Sequence, residues 1–188
     1  MNRPIPARVA AALARAEAAR FPLSSEHGVG RLLSALAAGV PANGRILEMG
    51  TGVGVGMAWM VEGLGRRTDV EIFSIELDAK THAIASSADW PPYVKLLQGD
   101  VLAHLGGLGT FDLIFADAQG GKWEGLGRTI AALRPHGILL VDDMTPLDGW
   151  DDHQRRKKDE VRDTLLTHPD LVAAELAESS GMILSVRR

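Results

Sequence analysis

Short apolar segments rich in β-branched and aromatic residues recur along the chain and alternate with segments of helical periodicity. Strands are predicted over residues 45–49, 70–77, 94–100, 111–117 and 138–143. Helices are predicted between them, from the glycines at 50–56 to Gly63 or Gly65, over 79–88 and over 124–137. A helix between two strands brings the second strand back parallel to the first. This order therefore predicts a mostly parallel α/β sheet with helices on both faces.

The two ends of the chain extend this pattern. Three further helices are predicted over residues 6–20, 25–39 and 154–168, the second of them with Ser24 or Ser25 as its N-cap. The final segment, "LVAAELAESSGMILSVRR", reads as two strands joined by a Ser/Gly turn, which predicts an antiparallel hairpin at the edge of the sheet. Without an internal repeat or a linker, residues 1–188 are predicted to form a single domain.

Composition excludes several functional classes. The formal net charge of −4 gives no basic field that would attract nucleic acid or acidic membranes. The chain has no cysteine, which excludes disulfides, thiolate chemistry and cysteine–zinc sites. The N-terminus lacks the apolar core of a signal peptide. It reads either as a transit peptide or, from Val9, Leu13 and Ala16 at helical spacing, as an amphipathic helix of the fold. The second interpretation predicts a cytoplasmic protein.

Every predicted parallel strand ends in an acidic residue or is followed at once by one. In order these residues are Glu48, Glu76, Asp100, Asp117 and the pair Asp142–Asp143. In an open α/β sheet, ligands bind outside the carboxyl ends of the strands, near the point where the strand order reverses. The alternative is that the acids cap the helices that follow them. Five in succession favour a ligand-binding edge.

The stretch "ILEMGTGVGVG" (46–56) narrows the ligand class. No reading frame gives G-x-G-x-x-G/A, which disfavours a nicotinamide enzyme, and Lys122 is followed by Trp123, so there is no P-loop. Neither G-x-S-x-G nor H-E-x-x-H occurs. What remains is E-x-G-x-G-x-G, whose bare main chain can lie against a ribose and an amino-acid tail. Glu76 is then placed to accept hydrogen bonds from both ribose hydroxyls, and Asp100 from an adenine amino group.

With these motifs the chain resembles the class I S-adenosylmethionine-dependent methyltransferases. The segments "LEMGTGVGVG", "FSIELD" and "LQGD" are similar to the first, second and third motifs of that family. The segments "FDLIFADAQGGKW" and "GILLVDDMT" most resemble the small O-methyltransferases related to catechol O-methyltransferase. The resemblance implies a three-layer, doubly wound, Rossmann-like fold with a seven-stranded sheet and a C-terminal antiparallel hairpin. "SSEHGVGRLLSAL" resembles the helix that these enzymes place over the cofactor, so residues 1–40 are expected to cover the site.

The resemblance also implies a set of cofactor contacts. The expected S-adenosylmethionine ligands are Glu48, Gly50, Thr51, Gly52, Gly54, Glu76, Asp100 and Asp117. Many relatives have a serine that contacts the methionine carboxylate where this chain has Gly56. Backbone N–H groups near that helix start are the expected replacement.

The family's divalent-metal pattern falls on Asp117, Asp142 and Asp143, the last in place of an asparagine. Three carboxylates suit a hard cation such as Mg²⁺ or Ca²⁺; the alternative is that Asp142 or Asp143 caps the following turn and no metal binds. The family's catalytic lysine aligns with Gly120, two residues before Lys122. A shifted loop would bring Lys122 into the site with Asp117 as the catalytic pair, but solvent exposure is the favoured expectation for this lysine.

The function predicted from these observations is methylation of a small-molecule hydroxyl by in-line transfer from S-adenosylmethionine, with or without a metal. A nicotinamide-dependent oxidoreductase and a non-catalytic cofactor-binding or regulatory protein remain as alternatives, as does a tRNA nucleoside acceptor within the enzyme class. Relatives are often homodimers. The polar segment 144–154 is either a lid that selects the substrate or a plain surface loop.

Overall fold

The carboxyl ends of five parallel strands meet at one edge of a seven-stranded sheet. The structure is a computed structural model and describes residues 4–146 and 148–188. Its strands are β1 (Arg45–Met49), β2 (Glu71–Glu76), β3 (Val94–Gln98), β4 (Phe111–Ala116), β5 (Leu133–Val141), β6 (Leu171–Leu176) and β7 (Met182–Arg187). Its helices are α1 (Ala7–Ala19), α2 (His27–Gly39), α3 (Val55–Leu64), α4 (Ala79–Ser86), α5 (Val101–Leu108), α6 (Gln119–Lys122), α7 (Leu126–Ala131) and α8 (Asp152–Thr167).

The strand order is β3-β2-β1-β4-β5-β7-β6, with β1 to β5 parallel and β7 antiparallel to both β5 and β6. This confirms the predicted doubly wound sheet and its closing hairpin. The chain first builds outwards from β1 to β3 and then returns to place β4 on the other side of β1. The loops after β1 and β4 therefore diverge at the reversal point, where open α/β sheets bind their ligands.

Helices cover both faces of the sheet because the inner strands are apolar on both sides. On one face α2 and α3 cover the sheet through buried side chains that include Leu33, Met57 and Trp59, and α1 packs on α3. On the other face α5, α7 and α8 cover the sheet through Leu105, Ile130 and Val161. The charged helix α8 buries Val161 and Leu165, as its periodicity predicts.

Two sequence-based expectations about elements are wrong, and one helix was not predicted. The helix expected over 124–137 ends at Ala131, because Leu133 pairs with Phe111 and begins β5 ahead of Pro135. Helix α5 was not expected, since its two glycines weaken the helical signal; Asp100 caps it. Helix α2 has Glu26 rather than a serine at its N-cap position, without a side-chain capping bond.

Among the described residues, no helix combines the length and the apolar character needed to cross a lipid bilayer.

Candidate active site

The glycine loop (residues 50–56) follows β1 and is held open by the neighbouring strand. Gly50 and Thr51 donate their N–H groups to the Ile75 carbonyl (2.9 and 3.2 Å). Gly50 has φ of +96°, and a Cβ there would lie 2.6 Å from the backbone oxygen of Asp117. A side chain at this position would therefore push apart the loop after β1 and the loop after β4, which explains why the position requires glycine.

Glu76, at the end of β2, fixes the loop through both carboxylate oxygens. Oε2 accepts from the Gly52 N–H and Oε1 from the Asp78 N–H, each at 2.9 Å. Each carboxylate oxygen retains a further lone pair for a ligand hydroxyl. Glu76 thus shapes the glycine loop and presents an acceptor beside it, at the position where a ribose was expected.

Glu48 lies beneath the loop and is 1% exposed. Its Oε2 accepts from the Ser74 hydroxyl, and the Thr51 and Ser74 hydroxyls are hydrogen-bonded at 2.6 Å. Burial raises the pKa of Glu48 from 4.5 to about 8, an effect opposed by the Ser74 hydrogen bond and increased by the nearby charge of Glu76. A cationic ligand group beside Glu48 would be stabilised by its ionised form.

Replacing Glu48 with Gln is expected to change how stability depends on pH. The folded protein retains the Glu48 proton between the unfolded pKa near 4.5 and the folded pKa of about 8. Stability therefore falls as pH rises through that window. Glu48→Gln has no proton to lose at this position. The free energy of unfolding of the variant minus that of wild type should therefore rise by up to about 3 kcal/mol between about pH 5.5 and about pH 8.5. Urea unfolding of both proteins at several pH values measures the difference, and a constant difference would show that Glu48 is ionised throughout.

Gly56 sits above Glu48 at the start of α3. A Cβ at this position would overlap Glu48 Oε1 and would lie 3.2 Å from the Ser25 hydroxyl oxygen. The serine that many relatives carry here is therefore incompatible with the position of the Glu48 side chain. A hydroxyl group is nonetheless present close by, because Ser25 in the α1–α2 connection reaches the same place. The Ser24 hydroxyl next to it is buried without a partner among the described residues.

Aromatic and basic side chains of the N-terminal region and of the α4–β3 connection lie against the glycine loop. Arg15 of α1 donates to the Val53 carbonyl (3.1 Å), and its guanidinium is 5.5 Å from the centre of the Trp90 ring. A Cβ on Gly52 would lie 3.0 Å from the Phe21 ring, and one on Gly54 would lie 2.8 Å from the Trp90 ring. Glycines in this loop are thus required by the protein's own packing as well as by any ligand.

Asp117, Asp142 and Asp143, termed the acid cluster below, converge at the ends of β4 and β5. One oxygen from each carboxylate lies within 4.8 Å of the others. Asp142 is buried; its Oδ1 accepts from the Ser180 hydroxyl and from the Asp143 N–H (2.8 Å). Asp143 has φ of +59° and directs its carboxylate back into the cluster. Burial also raises the pKa of Asp142.

Lys122 reaches into the acid cluster, and its side chain is only 4% exposed. Its Nζ donates to Asp143 Oδ2 (2.9 Å) and to the Asp142 carbonyl (3.2 Å), and is 3.9 Å from Asp117 Oδ1. The expectation that Lys122 would be solvent-exposed is therefore wrong. Sequence spacing could not reveal this, because the approach depends on a turn within α6 where Gly121 adopts φ of +90°.

Burial and the neighbouring positive charge act in opposite directions on the Asp117 carboxyl group. Burial raises the pKa of Asp117 well above its ordinary value. The ammonium of Lys122 opposes that rise, while the carboxylates of Asp143, Asp142 and Glu48 add to it. In its ionised form, a carboxylate with a raised pKa is a stronger base than an ordinary one and suits the role of proton acceptor for a neighbouring hydroxyl group.

Asp100 lies one strand further out and serves as the N-cap of α5. Its Oδ1 accepts from Leu102 N–H (2.6 Å) and Ala103 N–H (3.3 Å). Asp78 likewise caps α4. For Asp100, the alternative that a strand-end acid caps the following helix is therefore correct. The cap uses only one of the two carboxylate oxygens of Asp100.

The segment after β5 leads on from Asp142 and Asp143 of the acid cluster. Trp150 and Trp123 make an edge-to-face contact with ring centres 5.6 Å apart, and both are half-buried. The turn between β6 and β7 supports this segment through Met144 N–H to Gly181 O and Thr145 N–H to Ser180 O. The predicted segment 144–154 includes Leu147, which lies outside the described residues.

Ser74 and Ser180 belong to the site but were not identified from the sequence. Ser74 had a readable signal, because a lone serine inside an apolar strand needs a buried partner. Ser180 had none, because only the antiparallel pairing of β7 with β5 brings the hairpin turn to Asp142.

A family model described as a methyltransferase domain matches residues 47–144, more than half of the chain. The chain belongs to this methyltransferase family. The match spans the glycine loop, Glu76 and the whole acid cluster. It confirms the family resemblance inferred from the motifs, and it favours methyl transfer over the nicotinamide-dependent alternative.

Solved structures share the fold of this methyltransferase. Cofactor-bound Rv0187 from MTB is 25% identical, with a TM-score of 0.84 over 98% of this chain and 91% of that one. The O-methyltransferase TomG from Streptomyces achromogenes, involved in tomaymycin synthesis and in complex with SAM, is 22% identical (TM-score 0.81, 98% and 91% covered). The O-methyltransferase from Bacillus cereus in complex with SAH is 21% identical (TM-score 0.82, 98% and 92% covered). The predicted Rossmann-like methyltransferase fold is thereby confirmed. No curated protein sequence matches the chain significantly.

Proposed function

We propose that this methyltransferase transfers the methyl group of S-adenosylmethionine to the hydroxyl of a small molecule. The observation that carries the proposal is the juxtaposition of two parts at the reversal point of the sheet. One is a glycine loop whose Gly52 N–H is held by Glu76, and the other is an acid cluster with a buried lysine. The first part suits an adenosyl group with an amino-acid tail, and the second suits an acceptor that must lose a proton.

The cofactor would lie along the glycine loop. Its ribose hydroxyls would donate hydrogen bonds to Glu76. Its adenine amino group would donate to the Asp100 carboxylate oxygen that takes no part in capping α5. The buried Glu48 carboxyl would ionise and face the ammonium of the methionine moiety, which offsets its unfavourable burial. Ser25 would supply the hydroxyl that Gly56 cannot carry, beside the backbone N–H groups at the start of α3.

The acceptor hydroxyl would approach from the side of the acid cluster. An ammonium has no lone pair, so a Lys122 that donates to Asp143 and to the Asp142 carbonyl does not accept a proton. Asp117 is therefore the proposed base, and Lys122 orients the carboxylates and stabilises the oxyanion that develops. The acceptor oxygen forms the new bond to the methyl carbon, the carbon–sulfur bond breaks with its electrons remaining on sulfur, and the hydroxyl proton passes to Asp117.

Asp117, Asp142 and Asp143 are also the residues that would hold a divalent cation such as Mg²⁺. Their hard oxygen donors lie within 4.8 Å of one another and suit such an ion in chemistry, although the Nζ of Lys122 already lies 2.9 Å from Asp143 Oδ2. A bound cation there would lower the pKa of the acceptor hydroxyl.

Several sequence predictions remain proposals alongside this function. They are the single domain over residues 1–188 with its covering helices in 1–40, a homodimer, a cytoplasmic location, and the absence of a nucleic-acid partner. The position of Arg15 and Phe21 against the glycine loop supports the covering role.

Titration calorimetry and a transfer assay test the proposed function. We expect saturable binding of S-adenosylmethionine and of S-adenosylhomocysteine, and no binding of NAD⁺ or NADP⁺. With a panel of phenols and aliphatic alcohols, radiolabelled methyl groups should appear in at least one product. Cofactor binding without transfer to any acceptor would favour the non-catalytic alternative, and transfer to a tRNA instead would replace the acceptor class.

A further inference from the structure

Lys122 Nζ lies beside two of the three carboxylates that a divalent ion would need. It is bonded to Asp143 Oδ2 at 2.9 Å and faces Asp117 Oδ1 at 3.9 Å, which are two of the three carboxylates of the acid cluster. The third, Asp142, already accepts two hydrogen bonds at Oδ1. A Mg²⁺ or Mn²⁺ ion needs oxygens at about 2.0–2.2 Å. Two positive charges at such separations repel strongly in a buried site.

The backbone holds the lysine in this position. Gly121 donates its N–H to the Glu124 carbonyl (2.7 Å), and its own carbonyl accepts from the Thr129 hydroxyl (2.8 Å). A Cβ on Gly121 would overlap Met49 Sδ, so this turn packs directly on the end of β1. The backbone before Lys122 is therefore fixed by hydrogen bonds to both the N–H and the carbonyl of Gly121. A surface lysine without such contacts can move its side chain into solvent.

We propose that the ammonium of Lys122 is the resident cation of the acid cluster, and that a divalent ion binds there only by displacing it. This inference rests on the proposed function only in taking the cluster to be the acceptor side of the site. It follows that wild-type protein binds divalent ions weakly, and that removal of the lysine charge creates a stronger metal site. The positive charge of the acid cluster is then supplied by the chain itself.

Electron paramagnetic resonance of free Mn²⁺ measures this directly, without reference to activity. Lys122→Met keeps the length of the side chain and removes its charge; we expect it to bind Mn²⁺ at least about 10-fold more tightly than wild type. Adding Asp143→Asn to Lys122→Met should reverse most of the gain. Lys95→Met is the matched control. Lys95 is an exposed lysine that pairs with Glu71 near the amino ends of the strands, at the other end of the sheet from the acid cluster.

Circular dichroism and thermal unfolding establish that each variant is folded, and Lys122→Gln serves as a second variant that retains a hydrogen-bond donor. Equal Mn²⁺ affinity in wild type and in the folded Lys122 variants would overturn the inference, as would tight Mn²⁺ binding by wild type. Calorimetry with S-adenosylmethionine on the same samples separates the two proposals. A gain in Mn²⁺ binding without cofactor binding supports the inference on Lys122 and counts against the proposed function.

Discussion

Glu76→Ala should weaken S-adenosylmethionine binding by about 100-fold, or about 2.7 kcal/mol. The carboxylate holds the Gly52 and Asp78 N–H groups at 2.9 Å and is the proposed acceptor for the ribose hydroxyls. Hydrogen bonds to a charged group contribute about 1.5–3 kcal/mol each, so losing the ribose contacts and the loop order together accounts for the effect. Titration calorimetry with the cofactor measures it.

Glu71→Ala is the matched control for this experiment. Glu71 begins the same strand that Glu76 ends. It forms surface ion pairs with Arg45 and Lys95 at the amino ends of the strands, away from the proposed site. Its replacement should change the cofactor dissociation constant by less than about twofold, since exposed pairs contribute little. An affinity of Glu76→Ala within threefold of wild type would mean that the cofactor does not lie along the glycine loop.

Asp117→Asn should lower kcat for methyl transfer by about 10²–10⁴-fold, the usual contribution of a positioned general base. The amide preserves the shape of the side chain at the end of β4 but cannot accept the hydroxyl proton. Because the Asp117 carboxylate belongs to the acid cluster and the Asp117 backbone oxygen lies beside Gly50, kcat and cofactor affinity should be measured on the same protein. Single-turnover transfer with labelled cofactor gives the first, and calorimetry gives the second.

Glu124→Gln provides the control for the loss of a carboxylate charge near the site, since Glu124 is exposed two residues beyond Lys122. It should leave kcat within about twofold of wild type. If Asp117→Asn retains full turnover, Asp117 is not the base. If it instead loses cofactor affinity with kcat unchanged, Asp117 is a cofactor contact, the other role that the sequence predicts for it.

The sheet and the cofactor side of the site could be predicted because their signals are local. An apolar run of five or six residues marks each inner strand, and the acid that follows it marks the ligand edge. Glu48, the glycine loop and Glu76 were identified in this way, and they lie together as expected. The start of β5 was misjudged because Leu133 has no strand signal of its own; it is recruited by pairing with Phe111.

The amino-acid sequence by itself determined the order of the strands along the chain, the proposed ligand edge and the acids that line it. Each of these follows from contiguous residues and from the rule that parallel strands end at the same edge. Only the tertiary structure decided how Lys122 and Ser180 complete the acid cluster. Lys122 meets Asp143 across 21 residues and Ser180 meets Asp142 across 38, so no local pattern records either contact. Burial then sets their chemistry, because a charge removed from water needs a partner that only the fold can bring to it.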